Sequence, residues 1–217
     1  TTNLRNREEI FRLLRGLDPK RHLIHSEGIL DVLDHSSPTS GYGAKLAIDL
    51  TDIDLKRVPA SLPAPRTARP VGGVELFNTE LTRETGLLIL YAEWEWHETI
   101  DVERYLAENN IEGIKYVALF DRGAAGHMRA SDLLWLAAAN TDPKRDIRLF
   151  GDVVIIDARS KRPGYGNNPK RFPNVVTSST DTIHYVDERW AEYGIGELVE
   201  SPSRRYRKLW LSEGAEW

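Results

Sequence analysis

The sequence predicts an α/β fold with a mostly parallel sheet, flanking helices and two related helix–strand units. Between residues 87 and 157, apolar stretches alternate with helical patterns, and such alternation favours a parallel sheet with right-handed crossovers. The first two of these strands are apolar at their centres, as expected when both faces of a sheet are covered. A helical segment that ends in Asp-Pro-Lys-Arg occurs at 8–21 and again at 132–145, which indicates that the units are related.

The first unit is predicted to begin with a helix and to continue with two strands. Residues 7–16 place apolar side chains on one side of a helix, and Gly16 is the expected stop. Residues 23–25 and 46–50 are expected to be short strands on either side of a glycine-containing turn. The second copy of the pattern lacks the long segment between these strands.

Proline and glycine are frequent between residues 58 and 73. That composition is typical of an extended connector, so this stretch is the best candidate for a domain boundary. The predicted organisation is a first unit at 1–58, a connector at 59–73 and a second unit at 74–217.

The second unit is predicted to alternate strands with helices and to end in helices. Ser131 is the expected N-cap of one helix, because its hydroxyl can accept from the free amides of the first turn. Pro143 marks the end of that helix, since proline disfavours the helical conformation in the residue before it. The predicted strands are 87–93, 116–121 and 153–157, and the predicted helices are 102–109, 131–139 and 181–193.

Composition limits the classes of function. The chain has 217 residues, of which 41% are hydrophobic, so it can form one or two modest cores. It has no cysteine, which excludes disulfides and thiolate metal sites and fits a cytoplasmic location. A formal charge of -4 argues against a general nucleic-acid-binding protein, whose phosphate contacts need an excess of basic residues. The longest apolar run, at 86–92, is far too short to span a membrane.

The main candidate site lies in the segment at 28–49. Gly41 and Gly43 let the backbone take positive φ and approach a ligand closely. Lys45 comes two residues after this turn and is well placed to contact a phosphate as a point charge. The alternative is an ordinary surface lysine after a tight turn.

Five segments, in the same order along the chain, resemble the carboxy-terminal domain of UbiD-type decarboxylases, which use prenylated FMN. The most distinctive has leucine and aspartate, a proline, two glycines, a lysine and a final Ile-Asp. Two others end in Asp-Pro-Lys-Arg, one contains Gly-Asp followed by Asp-Ala-Arg, and the last contains Arg-Trp. The segments are 10–22, 28–49, 131–146, 151–161 and 186–194. Because the Asp-Pro-Lys-Arg unit is doubled, the resemblance implies a long form of the family.

The resemblance implies a reversible, non-oxidative loss of CO2 from an aromatic or α,β-unsaturated acid, with the modified flavin as the electron sink. In the family, a separate domain holds the prenylated FMN and its divalent metal and supplies the catalytic arginine and paired glutamates. The present sequence contains no segment of that kind. We therefore expect a carboxy-terminal region, or a separate subunit, with no catalytic residue, no metal ligand and no cofactor bound by this chain alone. Its expected partner is the catalytic domain or chain.

The resemblance also implies roles for the glycine turn. The family's matching lysine contacts the phosphate of prenylated FMN on the neighbouring domain, so Lys45, with Gly41 and Gly43, is the expected cofactor contact. Ala44 stands where the family usually has serine. The contribution of this chain would be subunit contacts and the closing of one side of the cofactor cleft.

Two other functions stay open. Glu93, Glu95 and His97 alternate at a predicted strand end, so all three can point to one face and hold a divalent metal or share a proton. A metal-dependent hydrolase is the weaker alternative, because an ordinary strand end with acids in water explains the same pattern. The other alternative is a non-catalytic binding or scaffold module of the same fold.

Further charged residues cluster in three places. Near the glycine turn no nucleophile accompanies the histidines, so a catalytic triad is not supported, and Asp31 and Asp34 are expected to be turn formers. Each of two later basic runs can bind an anion or form a solvated face. The residues concerned are His22, His25 and His35 near the turn, Arg159, Lys161 and Arg162 in the first basic run, and Arg204, Arg205, Arg207 and Lys208 in the second.

Self-association is expected through the terminal segment. The chain has 6 tryptophans, and Trp210 and Trp217 lie beside arginines near the end. Tryptophan and arginine are enriched at the centres of interfaces. We therefore expect a homodimer or a higher oligomer.

Overall fold

The computed structural model describes residues 3, 5–59, 68–77, 82, 87–92, 101–111, 113–124, 128–161, 163 and 172–210. The chain divides into two compact units, Thr1–Lys170 and Arg171–Trp217. The predicted boundary at 59–73 stays a prediction, because much of that connector lies outside the described residues.

A mixed five-stranded sheet forms the centre of the first unit, and an α/β fold is confirmed. The strands of the described residues are β1 (Leu23–Ile29), β2 (Tyr42–Ile48), β3 (Val74–Leu76), β4 (Leu87–Ala92), β5 (Tyr116–Asp121), β6 (Ile147–Phe150) and β7 (Val153–Asp157). The strand order in the five-stranded sheet is β3-β4-β5-β7-β6. The three central strands β4, β5 and β7 run parallel, whereas the outer strands β3 and β6 are antiparallel to their neighbours.

The core lies between this sheet and the helix that follows β4. Val102, Tyr105 and Leu106 of this helix are buried, and they belong to one apolar cluster with Leu88 and Val117 of the sheet. Burial of such side chains is the main favourable contribution to folding. The described residues form seven α-helices: α1 (Arg7–Arg15), α2 (Pro19–His22), α3 (Val102–Glu108), α4 (Ala130–Asn140), α5 (Pro143–Asp146), α6 (Thr180–Glu188) and α7 (Ser203–Tyr206). None of them is long and apolar enough to cross a membrane.

Helix α1 ends at Gly16, as predicted, and there is a packing reason for glycine at this position. A Cβ atom at Gly16 would lie 2.6 Å from a side-chain methyl of Val58 and 2.7 Å from one of Ile53. Asn6 begins the helix by accepting hydrogen bonds from the amides of Glu8 and Glu9. The chain after α1 therefore packs directly against the segment that follows β2.

One predicted helix start was wrong. Helix α4 begins at Ala130 with Arg129 as its N-cap, so Ser131 lies inside the first turn. The first turn is stabilised instead by Asp132, whose carboxylate accepts a hydrogen bond from the amide of Arg129 at 2.9 Å. An acidic side chain is favourable there because it offsets the partial positive charge of the helix start.

The element order of the first 48 residues recurs later in the chain. Helices α1 and α2 lead into the antiparallel hairpin β1–β2, and helices α4 and α5 lead into the antiparallel pair β6–β7. Each short helix has an aspartate N-cap followed by proline. That these two helix–strand units are related stays a prediction.

Each of these two helix–hairpin segments also contacts the hairpin of the other segment. Lys20 of α2 lies 3.5 Å from the Asp152 carboxylate, in the turn between β6 and β7. Lys144 of α5 lies 2.9 Å from the Glu27 carboxylate, in β1. Leu17, which precedes α2, is buried against Val154 of β7.

In the second unit, the terminal segment is folded back on its own helix. Arg204 pairs with Asp187 of α6 at 3.0 Å, and the indole nitrogen of Trp210 donates to the carbonyl of Val175 at 2.9 Å. The guanidinium of Arg207 lies 4.8 Å from the centre of the Trp210 ring. Trp217 is outside the described residues, and the expected self-association through this segment stays a prediction.

Candidate functional site

The Lys45 side chain lies on the surface of the β1–β2 hairpin. Lys45 is opposite Ser26 in the register of the two strands, and its side chain is 63% exposed. Its ammonium group is 3.0 Å from the Asp34 carboxylate, which lies in the loop between the strands. The ammonium therefore has one fixed acidic neighbour and remains open to solvent.

Asp34 is held in place by the loop itself. One carboxylate oxygen accepts hydrogen bonds from the Ser36 amide at 3.0 Å and the Ser36 hydroxyl at 2.6 Å. Partial burial opposes the charge of Asp34, but the hydrogen bonds from Ser36 and Lys45 outweigh it, so the pKa of Asp34 lies below its usual range. Asp31 likewise accepts from the amide of Leu33 at 2.8 Å. The prediction that Asp31 and Asp34 form turns is confirmed.

The two glycines differ from one another. Gly41 has a φ of 73° and open space where a Cβ atom would be, as a tight turn requires. Gly43 does not have a positive φ, so that part of the expectation was wrong. A Cβ atom at Gly43 would lie 2.6 Å from Leu30 and 2.8 Å from the Ser37 hydroxyl. Glycine at position 43 therefore lets the loop pack onto β2.

A buried hydrogen bond fixes the hairpin next to Lys45. The amide of Ala44 donates to a carboxylate oxygen of Asp142 at 3.2 Å. Asp142 is only 2% exposed, and its other oxygen accepts from the amides of Lys144 and Arg145 at the start of α5. One carboxylate thus caps a helix and holds a strand. The sequence showed Asp142 only as part of the repeated motif.

A buried network of charges lies where β7 ends. Asp157 pairs with Arg159 through two hydrogen bonds of 2.9 and 2.7 Å. Lys161, only 1% exposed, donates to the carbonyls of Asp157 and Arg159 at 2.8 and 2.5 Å. It also lies 3.6 Å from the Asp146 carboxylate. Arg159 and Lys161 are therefore buried structural groups, so the interpretation of this run as a solvated face was wrong; Arg162 lies outside the described residues.

Asp121, at the end of β5, is the most unusual group at this edge of the sheet. One of its oxygens accepts from the Ser160 amide at 2.8 Å, and the other is buried without a hydrogen bond from the described residues. Burial raises the pKa of Asp121, although the Ser160 amide and Arg159 oppose that rise. The carboxyl ends of parallel strands are where open α/β sheets bind ligands, and Asp121 lies there.

Replacement of Asp121 by asparagine is expected to stabilise the protein at neutral pH. The amide oxygen can still accept from Ser160, while the cost of a buried charge is removed. Because the folded-state pKa of Asp121 is raised, its contribution to stability is greatest at low pH and falls as pH rises through that pKa. Urea unfolding of both proteins from pH 4 to 8 should show a gain that grows with pH. A variant less stable than the native protein at pH 7 would contradict this account.

A second polar cluster lies beside β3 and β4. The Tyr91 hydroxyl donates to Glu75 at 2.7 Å, Arg122 also pairs with Glu75, and the Arg122 guanidinium lies 4.6 Å from the Tyr91 ring centre. Hydrogen bonds from Tyr91 and Arg122 lower the pKa of Glu75. Glu75 therefore serves as the anionic partner of two side chains.

The alternative metal site cannot be placed in the structure, because Glu93, Glu95 and His97 lie outside the described residues. Among the residues that are described, no group of three or more potential ligands could hold a metal ion. His22 is buried and accepts a hydrogen bond from the Asp18 amide through Nδ1 at 2.9 Å. His22 thus helps to hold the start of α2 in place.

Comparisons with known proteins give distant similarity. No family model matches the chain. It is similar to two uncharacterized proteins of Helicobacter pylori, from strains J99 and 26695, with 26% and 25% identity over 199 residues. The alignments cover 85% of this chain and 30% of each relative. The chain therefore spans less than a third of the length of these curated relatives.

Proposed function

We propose that this chain is the carboxy-terminal assembly and cofactor-cleft region of a UbiD-like decarboxylase that acts on an aromatic or α,β-unsaturated acid. The observation that carries the proposal is the exposed ammonium of Lys45 on a hairpin whose backbone is held by Asp142. A cation that is accessible yet fixed in direction suits a contact with an anionic group on a neighbouring domain. The resemblance of the 28–49 segment implies that this group is the phosphate of prenylated FMN.

The residues around Lys45 allow a single contact to a phosphate, which Lys45 itself would make. Asp34 orients the ammonium at 3.0 Å but carries a negative charge that repels a phosphate, so the other phosphate contacts must come from another region. This agrees with a cleft of which the chain closes only one side. Prenylated FMN, when bound, supplies the electron sink for loss of CO2. Lys45 would hold the phosphate, and Asp142 would hold the strand that carries Lys45.

The comparisons support a role as part of a larger protein. The relatives are about three times as long as their aligned region, which leaves room for a catalytic domain elsewhere in them. We propose a cytoplasmic location, with which the absence of cysteine from this chain is compatible. The competing function is a scaffold module that binds no flavin, and intact mass spectrometry of the native protein separates the two. A companion region or chain that carries flavin supports the decarboxylase.

Lys45→Gln, made in the assembled protein, is expected to weaken flavin binding by about 10- to 150-fold, because one charge-assisted hydrogen bond contributes about 1.5–3 kcal/mol. Flavin absorbance after gel filtration measures retention. Lys56→Gln, at another exposed lysine of the same unit, is the matched control and should retain flavin normally. The chain alone, supplied with prenylated FMN, should turn over no acid. Flavin retention that Lys45→Gln leaves unchanged would refute the proposed contact.

A further inference from the structure

Among the described residues, no strand other than β2 pairs with β1, so the outer edge of β1 has no strand partner there. In the hairpin, the Leu30 amide donates to the Gly41 carbonyl at 2.9 Å, and the Asp49 amide donates to the His22 carbonyl at 2.8 Å. Antiparallel pairs alternate between hydrogen-bonded and non-hydrogen-bonded, so residues 24, 26 and 28 exchange hydrogen bonds with β2. The amides and carbonyls of residues 23, 25, 27 and 29 therefore point away from β2, where the described residues provide no further strand.

Among the described residues, strand β1 has no proline, bulge or covering strand to protect its outer edge. It is seven residues long and contains no proline, and its side chains from Ile24 to Glu27 are exposed on both faces. Ile29 is 93% exposed, and Val32 and Leu33 in the following loop are nearly as open. Natural proteins usually block such edges with proline, bulges or a covering element, because an open edge is a template for pairing. The outer edge of β2, in contrast, is held by Asp142 at Ala44.

The sequence of β1 is complementary to itself in one antiparallel register. A two-fold axis through Ser26 places His25 opposite Glu27 of the second copy, and Leu23 opposite Ile29 of the second copy. In the two neighbouring registers, residues 23, 25, 27 and 29 again form the hydrogen bonds, but the axis passes through His25 or through Glu27. The first register places His25 opposite His25 of the second copy, and the other places Glu27 opposite Glu27 of the second copy. Opposite charges across a strand pair stabilise it, and like charges destabilise it. Of these three registers, only the one centred on Ser26 avoids a like pair of ionisable side chains.

We propose that two copies of this chain associate by antiparallel pairing of their β1 strands, centred on Ser26. The outward amides and carbonyls of His25 and Glu27 then receive partners, and the two hairpins become one four-stranded sheet. Ile29, Val32 and Leu33 supply apolar surface beside the new strand pair. This interface does not depend on the decarboxylase proposal.

Two kinds of variant test the pairing. The native chain has no cysteine, so Ser26→Cys introduces a single thiol. In the proposed register the two copies of residue 26 form a non-hydrogen-bonded pair with Cα atoms about 4.5 Å apart, which lies within disulfide range. Under mild oxidation we expect a disulfide-linked dimer. Ala47→Cys, equally exposed on β2, is the control and should link much more slowly.

The second kind of variant changes charge at one position. His25→Glu places two carboxylates opposite each other and should shift sedimentation velocity profiles to monomer, whereas His25→Lys should preserve or strengthen the dimer. If the substitutions acted only by disturbing the structure of β1, the sedimentation profiles of His25→Glu and His25→Lys would shift in the same direction. Ala47→Glu and Ala47→Lys should both leave the dimer intact. A chain that is monomeric at all concentrations, or a Ser26→Cys protein that links no faster than Ala47→Cys, would overturn the proposal.

Discussion

Lys161→Met is expected to lower the free energy of unfolding by about 3–5 kcal/mol, the usual cost of removing one partner from a buried ionic network. The native ammonium donates to two backbone carbonyls and lies 3.6 and 3.7 Å from the Asp146 and Asp157 carboxylates. Methionine has a similar volume but carries no charge and donates no hydrogen bond. The two carbonyls therefore lose a donor, and the two buried carboxylates lose a neighbouring positive charge. Chemical denaturation with urea measures the loss.

The same variant should show a characteristic pH dependence. Burial raises the pKa of Asp146, while Arg145 and Lys161 oppose that rise. Without Lys161 the Asp146 pKa rises further, so protonation at acid pH removes part of the buried charge. The deficit of the variant should therefore be smaller at pH 5 than at pH 7. Lys20→Met, at an exposed lysine, should change stability by less than about 0.5 kcal/mol. An equally small effect of Lys161→Met would show that the network does not need its ammonium.

Asp142→Ala is expected to cost about 3 kcal/mol, because it removes a helix cap, worth about 1 kcal/mol, and leaves the buried Ala44 amide without a partner, worth about 1–3 kcal/mol. The repeated motif provides the control. Asp18 caps α2 in the same way but makes no contact with the other hairpin among its described hydrogen bonds. Asp18→Ala should therefore cost only about 1 kcal/mol.

Hydrogen exchange can locate the effect of Asp142→Ala. The amides of β2 should lose protection in this variant, while those of β5 and β7 should change only with global stability. Asp142→Asn should show a loss of stability and of β2 protection between those of the native protein and of Asp142→Ala. Its single amide oxygen can accept either from the amides at the start of α5 or from the Ala44 amide. Equal losses from Asp18→Ala and Asp142→Ala, with β2 still protected, would contradict the proposed link to the hairpin.

The sequence was sufficient to predict the centre of the sheet. Strands β5 and β7 were predicted with the bounds that the structure has, because they are short apolar runs between turn residues. The strand pair β6–β7 was missed as a hairpin, although a local signal was present. Gly151 and Asp152 form its two-residue turn, and Gly151 has a φ of 58°, as such turns require.

The arrangement around Lys45 could be predicted only in part. Turn formation by Asp31 and Asp34 follows from side chain–backbone bonds between near neighbours. The bond between Ala44 and Asp142 joins residues 98 positions apart, and no local pattern encodes such a contact. The burial of Lys161 was missed for a similar reason, since it depends on charged partners brought together from two segments.

The hydrogen bond between Asp142 and Ala44 has a consequence for how the chain folds while it is being synthesised. A two-stranded hairpin alone is marginally stable in water, and the anchor of β1–β2 lies 98 residues further along the chain. Until α5 has left the ribosome, the hairpin lacks its hydrogen bond to Asp142, and its apolar side chains stay exposed to solvent. Contacts of such long sequence separation slow folding, and uncovered strand edges are where nascent chains aggregate. The native contacts of this hairpin can therefore be completed only after the residues of α5 have been synthesised.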